Sequence, residues 1–341
     1  CCDTDTPPTC LSTLDTAYYA GVACPATTEP ASNTGSTCDT SLTCSGGEAS
    51  TEGLCVVDMN SQLKCLAKDT NAEIIAVGTV TGTVTDVEVV GKNGSLAVAT
   101  VDNGVFLINT AQGSYYQHLT FEQTGAVKSM AISKSYGYIL NDNNKILATR
   151  GLGAAELIYT FKADAKPVAL AATLIDDDLY VLMPNGAVKI LHIVDGLLTA
   201  EEDSYATKNL SNALTVSATD ITAMAVADAT QEKMYKKTLF ITDSVNKQIL
   251  KIDNPSVEAK AEVIMSGFDF NPDAILHMKE EFFLTDNNRA DTIFSVNKNS
   301  IKEYSLTNMG IAKPDKMVAT HLCSFATIDV RPLVIAQVCP E

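Results

Sequence analysis

The sequence has no tryptophan, only four histidines and, before Lys64, not one lysine or arginine. Its 41 acidic residues outnumber 24 basic ones, giving a formal charge of −17. Nucleic acids and anionic membrane surfaces attract basic patches, so neither is an expected partner. Long apolar runs are missing too. The longest, from Pro167 to Ile175, falls well short of the ~20 residues that a membrane-crossing helix requires. The G-x-S-x-G, H-E-x-x-H and P-loop signatures do not occur. Gly151-Leu-Gly-Ala-Ala-Glu156 starts like a dinucleotide fingerprint, but the third glycine is absent and the surroundings read strand-turn-strand. Few histidines and arginines remain to build a catalytic site, and no enzyme is expected.

Cysteine, by contrast, is plentiful and uneven. Cys1, Cys2, Cys10, Cys24, Cys38, Cys44, Cys55 and Cys65 crowd the start, and Cys323 and Cys339 stand near the other end. No pair has C-x-x-C spacing and no histidine lies near the first group, which argues against zinc. A disulfide framework formed in an oxidising, extracellular compartment is the expectation. Cys1 is a candidate lipidation site, because a leading cysteine is what processing of a bacterial lipoprotein leaves. A lipid there leaves nine thiols, whereas without it all ten can pair; both forms stay open. Membrane attachment is expected only through such a lipid. Residues 1–68 are rich in Thr, Ser, Pro, Gly and Cys with little apolar periodicity, so crosslinks rather than a core would hold them. Their acidic residues, from Asp3 to Asp58, form either a solvated surface or a patch for cations or a basic partner.

Beyond residue 73 one phrase recurs. A small, β-branched strand opens each unit: Val84–Val90, Ala126–Ile132, Pro167–Thr173, Asp220–Val226, Asp273–Met278 and Met317–Leu322. A second apolar run follows and ends in a turn of Asp, Asn and Gly, as in Asp102-Asn-Gly104 and Asn141-Asp-Asn-Asn144. These residues accept positive φ or bond their own backbone, which tight hairpins require. A third strand and, in most units, a more variable fourth complete the unit. Repetition every 40–50 residues marks an array of identical supersecondary units. The pattern resembles a β-propeller, although no WD, kelch or YWTD signature is present. Six copies imply six blades. The expected architecture is all-β: a six-bladed β-propeller over residues 69–341, preceded by a disulfide-stapled cysteine-rich module over 1–68. The last unit supplies three strands, so the strand at 73–79 is expected to close its blade from outside. A bond between Cys323 and Cys339, or between Cys339 and Cys65, would lock that closure.

Candidate ligands are few. His118 and His192 read as ordinary strand residues. His277 and His321 occupy the same position in neighbouring opening strands, which would line a propeller channel; with a third ligand they could share a metal. Asp286, Asn288 and Asp291, and the run Asp176-Asp-Asp178, offer oxygen ligands for calcium without matching the twelve-residue calcium loop. Otherwise no cofactor is expected. Asn93 and Asn209 fit the glycosylation triplet. Three functions remain: a non-catalytic extracellular or cell-surface interaction scaffold, a structural subunit of an extracellular assembly, and an enzyme or ligand binder using the channel. Protein partners or self-assembly suit the first two.

Overall fold

The computed structural model describes residues 51–67, 74–90, 95–110, 114–151, 153–173, 176–184, 187–203, 221–226, 237–255, 261–278, 281–286, 288–322 and 328–330. Three strands come first: β1 (Thr51–Asp58), β2 (Gln62–Ala67) and β3 (Ile74–Val80). Five four-stranded meanders follow. Blade 1 holds β4 (Val84–Val90), β5 (Ser95–Thr100), β6 (Gly104–Asn109) and β7 (Ser114–Leu119). Blade 2 holds β8 (Val127–Ile132), β9 (Gly137–Asn141), β10 (Lys145–Thr149) and β11 (Glu156–Thr160). Blade 3 comprises β12 (Ala169–Ala172), β13 (Leu179–Leu182), β14 (Val188–Val194) and β15 (Leu197–Asp203). Blade 4 comprises β16 (Ile221–Val226), β17 (Thr238–Asp243), β18 (Gln248–Asp253) and β19 (Ala261–Ser266). Blade 5 comprises β20 (Ile275–Met278), β21 (Glu281–Thr285), β22 (Thr292–Asn297) and β23 (Ser300–Ser305). The chain ends its described part with β24 (Pro314–Leu322) and β25 (Ile328–Val330).

Every opening strand expected from the sequence is the inner strand of a blade. These strands meet in a closed ring, β4 against β8, then β12, β16, β20, β24 and back to β4. The molecule is a six-bladed β-propeller.

The sixth blade differs from expectation. Its order is β24-β1-β2-β3-β25, so the C-terminal part gives the inner strand and the N-terminal part gives the next three. The strand expected to close the blade does so as β3, with β25 added parallel outside it. The middle of the blade, however, is β1 and β2 rather than two further C-terminal strands. Strands β1 and β24 pair antiparallel from Thr51↔Leu322 to Asp58↔Pro314. A module boundary at residue 68 therefore cuts through a blade, and of the cysteine-rich region residues 1–50 lie outside the described residues. Cys65 bonds Cys55, its direct cross-strand neighbour, and not Cys339. Two adjacent strands put these facing residues 4.0 Å apart between Cα atoms, close enough for such a bond.

Alternation explains the core. Successive side chains of a strand point to opposite faces, and here each face meets a neighbouring blade. In β1, Cys55 and Val57 pack towards blade 1, while Leu54 and Val56 pack towards blade 5. In β5, Leu96 and Val98 share the cluster with Cys55, and Ala97 and Ala99 face blade 2. Six such clusters separate the six blades. Second and third strands are buried on both faces, and so read as continuous apolar runs. Outer strands such as β23 alternate little and stay exposed.

The polar residue that ends the second strand is structural. Asp58 Oδ1 accepts from the amides of Asn60 and Gln62 at 2.8 and 3.0 Å. Asn141 does the same for Asn143 and Lys145, and Asp243 for Asn246. In blade 1 the Thr100 hydroxyl takes this place, accepting from Asn103 N at 3.0 Å. The following Gly104 has φ +86°, and a Cβ there would come 2.2 Å from the Leu119 carbonyl oxygen.

Candidate ligand cavity on the propeller axis

The six inner strands enclose a cavity of about 190 Å³. Three of them, β4, β8 and β16, carry a bulge against their second strand, at Val84/Asp86, Val127/Ser129 and Ile221/Met224. Bulges re-aim side chains, and Asp86, Ser129 and Met224 all line the cavity. The lining is divided. Charge lies on blades 1, 2 and 6, with Asp86, Glu88, Lys128 and Lys316. Blades 3, 4 and 5 present Ala171, Ala223, Met224, Ala225 and Leu276.

Asp86 is well served. Its Oδ1 accepts from Val87 N at 2.9 Å, and its Oδ2 from Ser129 Oγ at 2.9 Å and Met130 N at 2.7 Å. Ser129 Oγ accepts in turn from Leu170 N at 3.1 Å, so one polar chain ties the inner strands of blades 1, 2 and 3. Burial raises the Asp86 carboxyl above its ordinary value, against the pull of the Lys316 charge and these hydrogen bonds. Glu88, two residues along β4 and on the same face, has neither hydrogen bond nor ion pair among the described residues. Burial, followed by the Asp86 charge, pushes its carboxyl well up. Both side chains keep some contact with the space they line, so they are enclosed by protein without being sealed from water. Of the cations, Lys128 is exposed, and Lys316 lies 3.9 Å from Asp315 Oδ1.

The residues singled out from the sequence lie elsewhere. His277 is buried against Phe240 and Phe282, with ring centroids 4.7 and 4.8 Å away, between blades 4 and 5 and not on the cavity wall. His321 stands on β24 in register with Glu52, and its side chain lies outside what is described. Asp286 and Asn288 form a turn, with Asn288 N donating to Asp286 Oδ1 at 2.8 Å. Asp291 accepts from the hydroxyls of Thr292 and Thr307. Arg289 sits 4.0 Å from Asp286, pairs with Asp269 and Glu303, and covers the Phe294 ring. No group of three or more metal-ligating side chains occurs among the described residues. Asp176 and Asp178 both bind the Lys237 ammonium, joining blade 3 to blade 4, and Asp178 Oδ1 lies 3.1 Å from His192 Nδ1. Burial would lower the Lys237 ammonium, but the bonds to Asp176 and Asp178 outweigh it and hold it above its usual value. Asp177 accepts from Ser133 Oγ at 2.7 Å and Ser135 N at 2.8 Å. Asn93, Asn209, Cys1, Cys2, Cys10, Cys24, Cys38, Cys44, Cys323 and Cys339 lie outside the described residues.

The axial carboxylates were missed, yet a signal was present. The first two opening strands carry charge, at Asp86, Glu88 and Lys128, where the corresponding strands of blades 3 and 4 read Ala169-Leu-Ala-Ala172 and Ile221-Thr-Ala-Met-Ala-Val226.

No protein-family model matches the chain, and no curated protein is similar to it in sequence. Among solved structures it is similar to virginiamycin B lyase from Staphylococcus aureus, with 12% identity, 78% of this chain and 86% of that one covered, and a TM-score of 0.50. It also aligns with the dihydro-heme d1 dehydrogenase NirN in complex with DHE (12% identity, 79% and 53% covered, TM-score 0.43). YCF48 from Cyanidioschyzon merolae aligns at 11% identity over 70% and 71% of the two chains, with a TM-score of 0.44. Identities this low speak for the fold alone, and the fold does not carry a function with it.

Proposed function

We propose that this protein is a non-catalytic extracellular or cell-surface scaffold, in which the propeller is a rigid mount and residues 1–50 contact protein partners. The observation that carries this reading is the fully buried Cys55–Cys65 bond at the point where the chain enters the propeller. Disulfides form and persist in oxidising compartments. This one staples β1 to β2 within a paired sheet, and in the sequence it is preceded by the acidic segment 1–50. That segment carries Asp3, Asp5, Asp15, Glu29, Asp39 and Glu48 and no lysine or arginine. Such a charge suits a basic partner surface and steers its approach. Attachment to a membrane would run through a lipid on Cys1.

Zero-length carbodiimide coupling on intact native cells tests this, because it joins carboxylates to amines. The expected products link the acidic residues of 1–50 to lysines of a partner, and thiol blocking before lysis recovers Cys55 and Cys65 as a disulfide. Crosslinks confined to the propeller, or Cys55 and Cys65 recovered as free thiols, overturn the reading.

A further inference from the structure

We propose that the axial cavity is a binding site for a small organic ammonium compound bearing a short apolar group, with Glu88 as the counter-charge. The inference concerns the described propeller alone and stands independently of where the protein works. It rests on three features of one space. The first is volume: about 190 Å³, where an apolar cavity of about 150 Å³ takes benzene. The second is the division of the wall, since an apolar group fits against Ala171, Ala223, Met224 and Leu276. The third is the unequal state of the charges facing it. Asp86 already accepts three hydrogen bonds and faces Lys316. Lys128 is exposed and bathed by solvent. Glu88 is an enclosed carboxylate that, among the described residues, has no hydrogen-bond donor and no ion-pair partner, although Lys128 and Lys316 line the same space.

A carboxylate in such surroundings is costly to keep ionised unless something supplies charge and protons to bond. An ammonium group does both, with three N–H donors for the Glu88 oxygens. An anion gains nothing equivalent, because the exposed Lys128 loses water to reach it, Lys316 already faces Asp86, and Glu88 repels it. A neutral isostere fits the apolar wall but leaves Glu88 without a counter-charge.

Calorimetric titration of the full-length protein at neutral pH with benzylammonium, n-butylammonium, benzyl alcohol and benzoate decides the matter. At least one ammonium is expected to bind with one-to-one stoichiometry, about tenfold or more tighter than the alcohol, and benzoate not at all. Glu88→Gln is expected to melt no lower than the parent while the preference for ammonium over alcohol collapses to under about twofold. Binding of neither ammonium by the parent, equal binding of alcohol and ammonium, or an undiminished preference in folded E88Q each overturns the proposal. A lower melting temperature for E88Q also counts against it, because it assigns Glu88 a structural partner.

Discussion

At the scale of the residue, two half-buried side chains titrate against the fold in opposite directions. Burial pushes the His118 imidazole down to about 4 from its ordinary 6.5. The unfolded chain thus takes up this proton first. The stability tied to neutral His118 is fully present above pH 6.5 and drains as pH falls towards 4. Its size is on the order of 2 kcal/mol after allowing for the contact His118 keeps with solvent. Glu88 runs the other way: its raised carboxyl favours the folded state at low pH and works against it once pH rises through the folded value. His118→Asn is expected to flatten the fall in melting temperature between pH 6.5 and 4 and to change little at pH 8. An unaltered slope in that window removes His118 as its source. Polar residues of this chain were legible where they serve the backbone and obscure where they face a cavity. Asp243 and Asn141 close strands by accepting from amides a few residues ahead, so their role is written locally. Glu88 matters because five other strands surround it, and no local pattern states that.

At the scale of the element, the least legible strands are the ones that close the ring. Inner strands such as β4 and middle strands such as β5 and β6 announced themselves through β-branched and continuous apolar runs, as strands packed between two blades must. Strands β1 and β2 carry the same signature in miniature. Cys55-Val-Val-Asp58 ends an apolar run in an aspartate, and Gln62-Leu-Lys-Cys-Leu-Ala67 resumes after the turn. It was hidden because cysteine-rich, Ser- and Thr-rich sequence ordinarily signals a stapled loop module, and because the partner strand lies more than 250 residues away. Sequence periodicity reports faces and turns; it is silent on which distant edge a strand will find. The disulfide between β1 and β2 is an element-level staple. Replacing both cysteines by alanine (Cys55→Ala with Cys65→Ala) is expected to cost about 2–4 kcal/mol in denaturant unfolding. A loss under about 1 kcal/mol means the hairpin is held by its packing against Val98 and Phe106 alone.

At the scale of the whole molecule, the ring is held shut by hydrogen bonds between β1 and β24, and every blade needs two neighbours to bury its faces. A chain of residues 51–341 retains all strands of the sixth blade and is expected to melt in one cooperative transition close to that of the full chain. A chain starting at residue 68 loses β1 and β2, which leaves β24 without its sheet partner and β3 with β25 alone. It exposes Val87, Phe106 and Phe283 along the opened seam, and is expected to lose the cooperative melt and aggregate. A sharp, unshifted melt of that shorter chain, read by circular dichroism, means the N-terminal hairpin is dispensable and the closure described above is not what holds the ring.

The pairing of β1 with β24 also sets an order of events. Thr51–Asp58 is among the first parts of the propeller to be synthesised and the last to be matched, because Pro314–Leu322 follows it by some 250 residues. At ordinary elongation rates that interval is roughly 10–50 s. Throughout it the early strand has a bare edge with its permanent neighbour still unmade. Ring closure therefore waits for translation to run almost to the end of the propeller, and the emerging chain stays unlocked until Pro314–Leu322 has been made.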